Sequence, residues 1–117
     1  HHAVGFPVLK GGEYLRKEIQ DYIKKYNEKV YLNWHLITDY HFGGYAKYSK
    51  ELVEFINEFK KRQLIPLDPI YTGKMMSGLY NLIRKDVFKK GRRIIAVHTG
   101  GLQGIDGFNE RFGNLIE

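Results

Sequence analysis

Short runs rich in β-branched and aromatic residues alternate along this chain with stretches of helical period, and that alternation limits the folds open to it more than any other feature. Val4 to Leu9 is apolar and broken by Pro7, which suits a short strand near its end. Gly11 and Gly12 turn the chain into a helix from about Glu13, where Tyr14, Leu15, Ile19, Tyr22, Ile23 and Tyr26 recur at three-to-four spacing. After Asn27, "KVYLNWHLI" reads as a second extended segment, followed by the aromatic and glycine-rich loop "TDYHFGGYAKYSK". Ser49 is placed to cap a helix over Lys50 to Arg62, with Leu52, Phe55, Ile56 and Phe59 in one apolar stripe. "LIPLDPIYTGK" runs extended, because its two prolines forbid a helix there. A third helix is predicted from near Gly73, with Met75, Met76, Leu79, Leu82 and Ile83 facing inward. Lys89 to Arg93 reads as a basic turn and Ile94 to Val97 as a buried strand, which Gly100 and Gly101 end.

This order of elements predicts an α/β fold, a mainly parallel sheet flanked by helices. In such sheets ligands lie beyond the carboxyl ends of the strands, which directs attention to the loops after Leu9, Ile37, Ile70 and Val97. At 117 residues, 43% hydrophobic and 27% charged, the chain has room for one modest core and the composition of a folded soluble protein. His1 and His2 read as a tag remnant, leaving residues 3–117 as a single α/β segment. The chain has no cysteine, and no apolar run approaches the ~20 residues of a membrane span, so a cytoplasmic protein without a membrane partner is expected. The formal charge of +6 falls mostly on outer helix faces, as in "LRKEIQDYIKK" and "INEFKKRQ". With no recognition motif beside it, nucleic acid is not an expected partner.

Two stretches offer chemistry. "LDPIYTGK" leaves an extended segment and enters a helix, so the helix's first free N–H groups face whatever lies at the strand end, with Thr72 as a possible cap and Tyr71 standing there. Lys74, in the first turn, is expected to be a solvated lysine. In "HTGG", Thr99 offers a hydroxyl and the glycines allow backbone to come close to a ligand, while His98 is expected to be a buried, hydrogen-bonded histidine. No metal site is assigned, and His35, Asp39 and His41 lack the nucleophile of a triad. Residue types alone leave open both an enzyme site and a non-catalytic α/β module binding a nucleotide or phosphate ligand.

Taken together, "DPIYTGKMMSGL" and "IIAVHTGG" resemble the C-terminal part of the pyridoxal-phosphate enzymes of the 1-aminocyclopropane-1-carboxylate deaminase and D-cysteine desulfhydrase family, of fold type II. The similarity extends back through "FGGYAKYSKELVEFI" and "AVGFPVLKGGEYLRKEI", and so covers nearly the whole chain. It implies the C-terminal part of a longer enzyme acting on a small amino acid, cytoplasmic and homodimeric in full-length form. The Schiff-base lysine and the phosphate loop would then lie in an N-terminal part not present here, and the chain alone would be inactive. By position, Tyr71 matches the family tyrosine stacked on the cofactor ring and Tyr45 the tyrosine of the substrate loop; both are implied catalytic residues. Thr72, Thr99 and Gly100 complete the implied cofactor contacts, with Thr99 beside the pyridine nitrogen. Deaminase-type members have Glu where Thr72 stands and Leu where Thr99 stands, so the resemblance favours D-cysteine desulfhydration, with aminocyclopropane-carboxylate deamination second.

Overall fold

The computed structural model describes residues 1–117. Its sheet has two parallel strands, β1 (Ala3–Gly5) and β2 (Trp34–Leu36), in the register Ala3 to Trp34, Val4 to His35 and Gly5 to Leu36. The crossover between them holds a 3₁₀ turn at Gly12–Tyr14 and helix α1 (Leu15–Tyr26), as a parallel connection requires. Helices α2 (Lys50–Gln63), α3 (Thr72–Arg84) and α4 (Gly104–Phe112) follow. The fold is therefore α/β with a parallel sheet, as the alternation implies.

The core lies between α2 and the elements packed on it. Leu52, Ile56 and Phe59 of α2 meet Leu67, Phe108 of α4 and Ile116. Ser49 caps α2 by accepting from the amide of Leu52 (3.2 Å), and Leu64 ends it with φ of 58°. Two asparagine side chains bind the chain end to this core. Asn57 bridges the Leu115 carbonyl and the Glu117 amide, and Asn109 binds both the amide and the carbonyl of Ile116, all within 2.8–2.9 Å.

α3 is packed on two sides. Gly73 sits so close to α2 that an added Cβ would lie 2.6 Å from Ile56 Cδ1 and 2.6 Å from the Asp68 carbonyl oxygen. On the other side a Cβ at Gly78 would meet Tyr40 at 2.8 Å and Phe6 at 2.9 Å. Tyr40 also donates to Asn81 Oδ1 (2.7 Å), so this face joins the loops after the strands to α3.

Three expectations change. Ile94 to Val97 is not a buried strand: the segment forms no ladder, and Ile95 and Val97 are 81% and 65% exposed. A run apolar on both faces needs a paired strand on at least one edge and cover on both sides, and neither is within reach in this chain. The second extended segment shortens to Trp34–Leu36, with Val30 and Leu32 exposed, and the tyrosines of α1 face solvent while Leu15, Ile19 and Ile23 are half-buried. The third change is an addition, α4, which sequence periodicity does not reveal because Gly104 and Gly107 dilute its helical signal.

Two glycines should respond in opposite directions to alanine. Gly73→Ala forces a Cβ into backbone and Ile56 and should lower stability by about 1–3 kcal/mol. Gly107→Ala, with nothing within 4 Å of the new Cβ, should raise it by about 0.5–1 kcal/mol. Urea unfolding of both variants beside the wild type checks the pair.

Candidate active site

Asp68 organises the start of α3. Pro69 has no N–H, so the amides of Ile70, Tyr71 and Thr72 are the first that need partners, and one carboxylate serves all three. Its Oδ2 accepts from Ile70 (2.8 Å) and Tyr71 (2.7 Å), and its Oδ1 from the amide of Thr72 (2.8 Å). The Thr72 hydroxyl donates to Oδ1 (2.6 Å) and accepts from the Asp68 amide (3.0 Å), while the Asp68 carbonyl accepts from Gly73 (2.9 Å). A negative charge at this end also suits the helix dipole.

This arrangement corrects two expectations. Thr72 is the first residue of α3 and not its cap: Tyr71 stands at the cap position, Asp68 binds the leading amides, and Thr72 is buried with its amide and hydroxyl both committed to that carboxylate. The leading N–H groups of α3 are filled from inside the chain, so they do not present a free anion site to a phosphate.

Tyr71, 45% exposed, leaves this capped turn beside Tyr45, which is 54% exposed. The hydroxyls are 3.2 Å apart, and the rings meet edge to face with centroids at 6.2 Å and an interplanar angle of 63°. The hydrogen bond with Tyr45 pushes the Tyr71 phenol above the ordinary tyrosine pKa, and partial burial and the nearby charge of Asp68 act in the same direction.

Tyr45 rides on two successive turns. Gly44 donates to the His41 carbonyl (3.1 Å) and Lys47 to the Gly44 carbonyl (3.1 Å). Phe42 and Ala46 have φ of 53° and 55°, a left-handed backbone that costs a non-glycine residue about 1–2 kcal/mol. Beneath these turns lies Lys74, and here the expectation of a solvated lysine fails. The residue is fully buried, and Nζ donates to the carbonyls of His41 (2.8 Å) and Gly44 (2.8 Å). Burial lowers its pKa to about 8, partly opposed by the charge of Asp68. The sequence does carry a signal for this second buried face. Lys74, Gly78 and Asn81 fall at helical spacing, and a glycine inside a helix marks a close approach.

The "HTGG" loop is drawn against the same carboxylate. His98 is hydrogen-bonded as expected but exposed, its Nδ1 accepting from Gly100 (3.1 Å) and its Nε2 lying 2.9 Å from the Pro66 carbonyl. One tautomer, with the proton on Nε2, satisfies both contacts. Thr99 is exposed. Gly100 has φ of 91° and open space around it. The close approach belongs to its neighbour: a Cβ at Gly101 would stand 3.1 Å from the Asp68 carboxylate. Asp68 is thus the residue that sequence reasoning passes over, and an aspartate three residues ahead of the helix-opening "YTG" is the available cue for it.

His35, Asp39 and His41 do not converge on a reactive group; His41 Nδ1 accepts from the Gly43 amide (3.0 Å). No group of three metal-ligating side chains is present, and no helix is long and apolar enough to cross a membrane. A cavity of about 740 Å³ opens between α2 and α3, lined by Glu54, Glu58, Arg62, Tyr80 and Arg84 among others. It includes none of Tyr45, Tyr71 and Thr99, and its charged, mixed walls converge on no reactive group.

The geometry is that of a parallel α/β segment with an exposed tyrosine pair at the start of α3, and comparison gives the family. No family model matches the chain. It is 33% identical, over 97% of its length, to a protein of Pyrococcus horikoshii named "Putative 1-aminocyclopropane-1-carboxylate deaminase". It is 35% identical, over 68% of its length, to the 1-aminocyclopropane-1-carboxylate deaminase of Bradyrhizobium diazoefficiens. A crystal structure described as that of an ACC deaminase homologue superposes on 97% of the chain with a TM-score of 0.81 and 35% identity. The chain belongs to the family of 1-aminocyclopropane-1-carboxylate deaminase and its homologues. It spans about a third of the archaeal relative's length, 35%, and 23% of the bacterial one's.

Asp68→Ala leaves three amides and a hydroxyl without their acceptor, and should cost about 3 kcal/mol or more in urea unfolding, with Asp68→Asn intermediate. Lys74 gives a pH test. Its pKa falls from about 10.5 to about 8 on folding, so between those values the unfolded chain binds more protons and stability rises with pH. The stability of wild type relative to Lys74→Met should therefore increase from pH 8 towards 10.5 and be flat below 8.

Proposed function

We propose that the chain supplies the C-terminal part of a pyridoxal-phosphate enzyme acting on a small amino acid. The observation that carries this reading is the exposed Tyr45–Tyr71 pair, fixed at the start of α3 in a chain whose curated relatives are named deaminases. The residues present suit one side of a pyridine ring: an aromatic face with a fixed backbone at Tyr71, and an exposed hydroxyl at Thr99 on a loop that Gly101 brings against Asp68. Pyridoxal phosphate, when bound, supplies an electron sink for charge left at the substrate's α-carbon. Tyr71 would hold the ring plane by stacking, Thr99 would meet the ring nitrogen, and Gly100 would leave room for that approach. Tyr45 would lie near the reacting carbon, its hydroxyl able to hold a proton there. Thr72 supports the site through Asp68.

The amine that anchors the cofactor and the cradle for its phosphate are assigned to an N-terminal part of the same enzyme. Lys74 is the lysine nearest Tyr71 in sequence, and its Nζ is buried against two carbonyls, so the 117-residue chain alone is expected to be inactive. The full-length protein is proposed to be a homodimer. Thr72 and Thr99, standing where deaminase-type members have Glu and Leu, favour β-elimination from D-cysteine, with deamination of 1-aminocyclopropane-1-carboxylate second. A phosphate- or nucleotide-binding module is the weaker reading, because Asp68 already occupies the α3 amides such a ligand would use.

The test is a visible spectrum of the full-length protein and side-by-side assays on D-cysteine and 1-aminocyclopropane-1-carboxylate. Tyr71→Ala should weaken cofactor retention about two- to tenfold, the worth of a stacked ring beyond its area, and slow turnover; Tyr71→Phe should be far milder. Wild-type retention and rate in both variants would remove Tyr71 from the site.

A further inference from the structure

Lys74 takes no part in the chemistry proposed above, yet it is the one lysine buried in the chain. Its two acceptors are not arbitrary carbonyls. The turn His41–Gly44 is closed by a bond to the His41 carbonyl, and the turn Gly44–Lys47 by a bond to the Gly44 carbonyl. Lys74 donates to those same two oxygens, so a single Nζ, which keeps two N–H donors even as the neutral amine, sits on the closing acceptor of each turn. The loop needs such support, because Phe42, Gly43, Gly44 and Ala46 all have positive φ. Tyr45 is more than half exposed and its ring meets Tyr71 edge-on, so side-chain packing does not hold it in place.

Lys74 also stands one helical turn after Tyr71 on α3, the turn that Asp68 fixes. We propose that Lys74 is a positioning residue: by bridging the carbonyls of His41 and Gly44 it ties the double turn to the first turn of α3, and so sets the Tyr45 hydroxyl beside that of Tyr71. The assignment rests on the reading of the two tyrosines as the site, and it adds the element that holds them in register. One loop, distant in sequence, is thereby referred to the first turn of α3.

The experiment is NMR on the protein carrying ¹³C at tyrosine Cζ and ¹⁵N at lysine Nζ and the backbone, in wild type, Tyr45→Phe and Lys74→Met. Tyr45→Phe should lower the Tyr71 titration towards the ordinary tyrosine value, because it removes the hydroxyl that raises it. Lys74→Met should lower it too, although both tyrosines remain, and should speed amide exchange at Gly44 and Lys47 about tenfold while α2 is unchanged. A Tyr71 titration unmoved by Tyr45→Phe would remove the hydroxyl pair and with it both readings. One that moves in Tyr45→Phe but not in Lys74→Met would overturn the role of Lys74 and leave the site intact. If Lys74→Met does not fold, the wild type decides. Its Lys74 ammonium protons should give a signal protected from solvent exchange, and exchange as fast as that of the surface lysines would overturn the assignment.

Discussion

One buried carboxylate sets the geometry on which the rest depends. Asp68 binds three successive amides and a hydroxyl, and these fix the direction in which α3 begins. That direction puts Gly73 against Ile56 of α2, and it leaves the Tyr71 ring outside the core. The same carboxylate is backed by Gly101, so the loop bearing Thr99 is drawn to the end of α3 as well. Buried charge is costly unless its oxygens are fully used, and here four short hydrogen bonds use them. A capping residue is usually a local device. In this chain it acts at long range, because the loop at Gly101, distant in sequence, packs against the same carboxylate.

The legibility of the sequence follows from which elements carry their partners with them. α2 and α3 have apolar stripes that pack on each other, so period and caps locate them closely, and the Ser49 cap is where the sequence implies. Ile94 to Val97 has a strand's composition, but composition records a preference for buried pairing and cannot supply the neighbouring strand. The apolar surface left on α1 and on this run is of the same origin. α4 shows the reverse case, a helix of weak propensity held because its Phe108 and Phe112 both pack against Tyr48.

At the site, the exposed residues were the legible ones. Tyr45, Tyr71 and Thr99 are named by motif similarity, and the structure brings Tyr45 and Tyr71 into contact. Thr72 was legible only as a helix-start hydroxyl; its commitment to Asp68 depends on the chain reversing over Pro69. Lys74 is buried, against the expectation from its position, for a physical reason. A lysine in a first helical turn is solvated when the helix has one buried face, and α3 has two, the second marked by Gly78 against Tyr40 and Phe6.

The tyrosine pair has a property that neither phenol has alone. In a contact between two hydroxyls one donates and the other accepts, so one proton lies between the oxygens and the other is free to point away. Viewed from outside, one ring offers a donor and the other only lone pairs. Rotation of both O–H bonds exchanges those roles without breaking a covalent bond or moving a ring. Either arrangement therefore offers one donor and one set of lone pairs, at positions that the rotation exchanges.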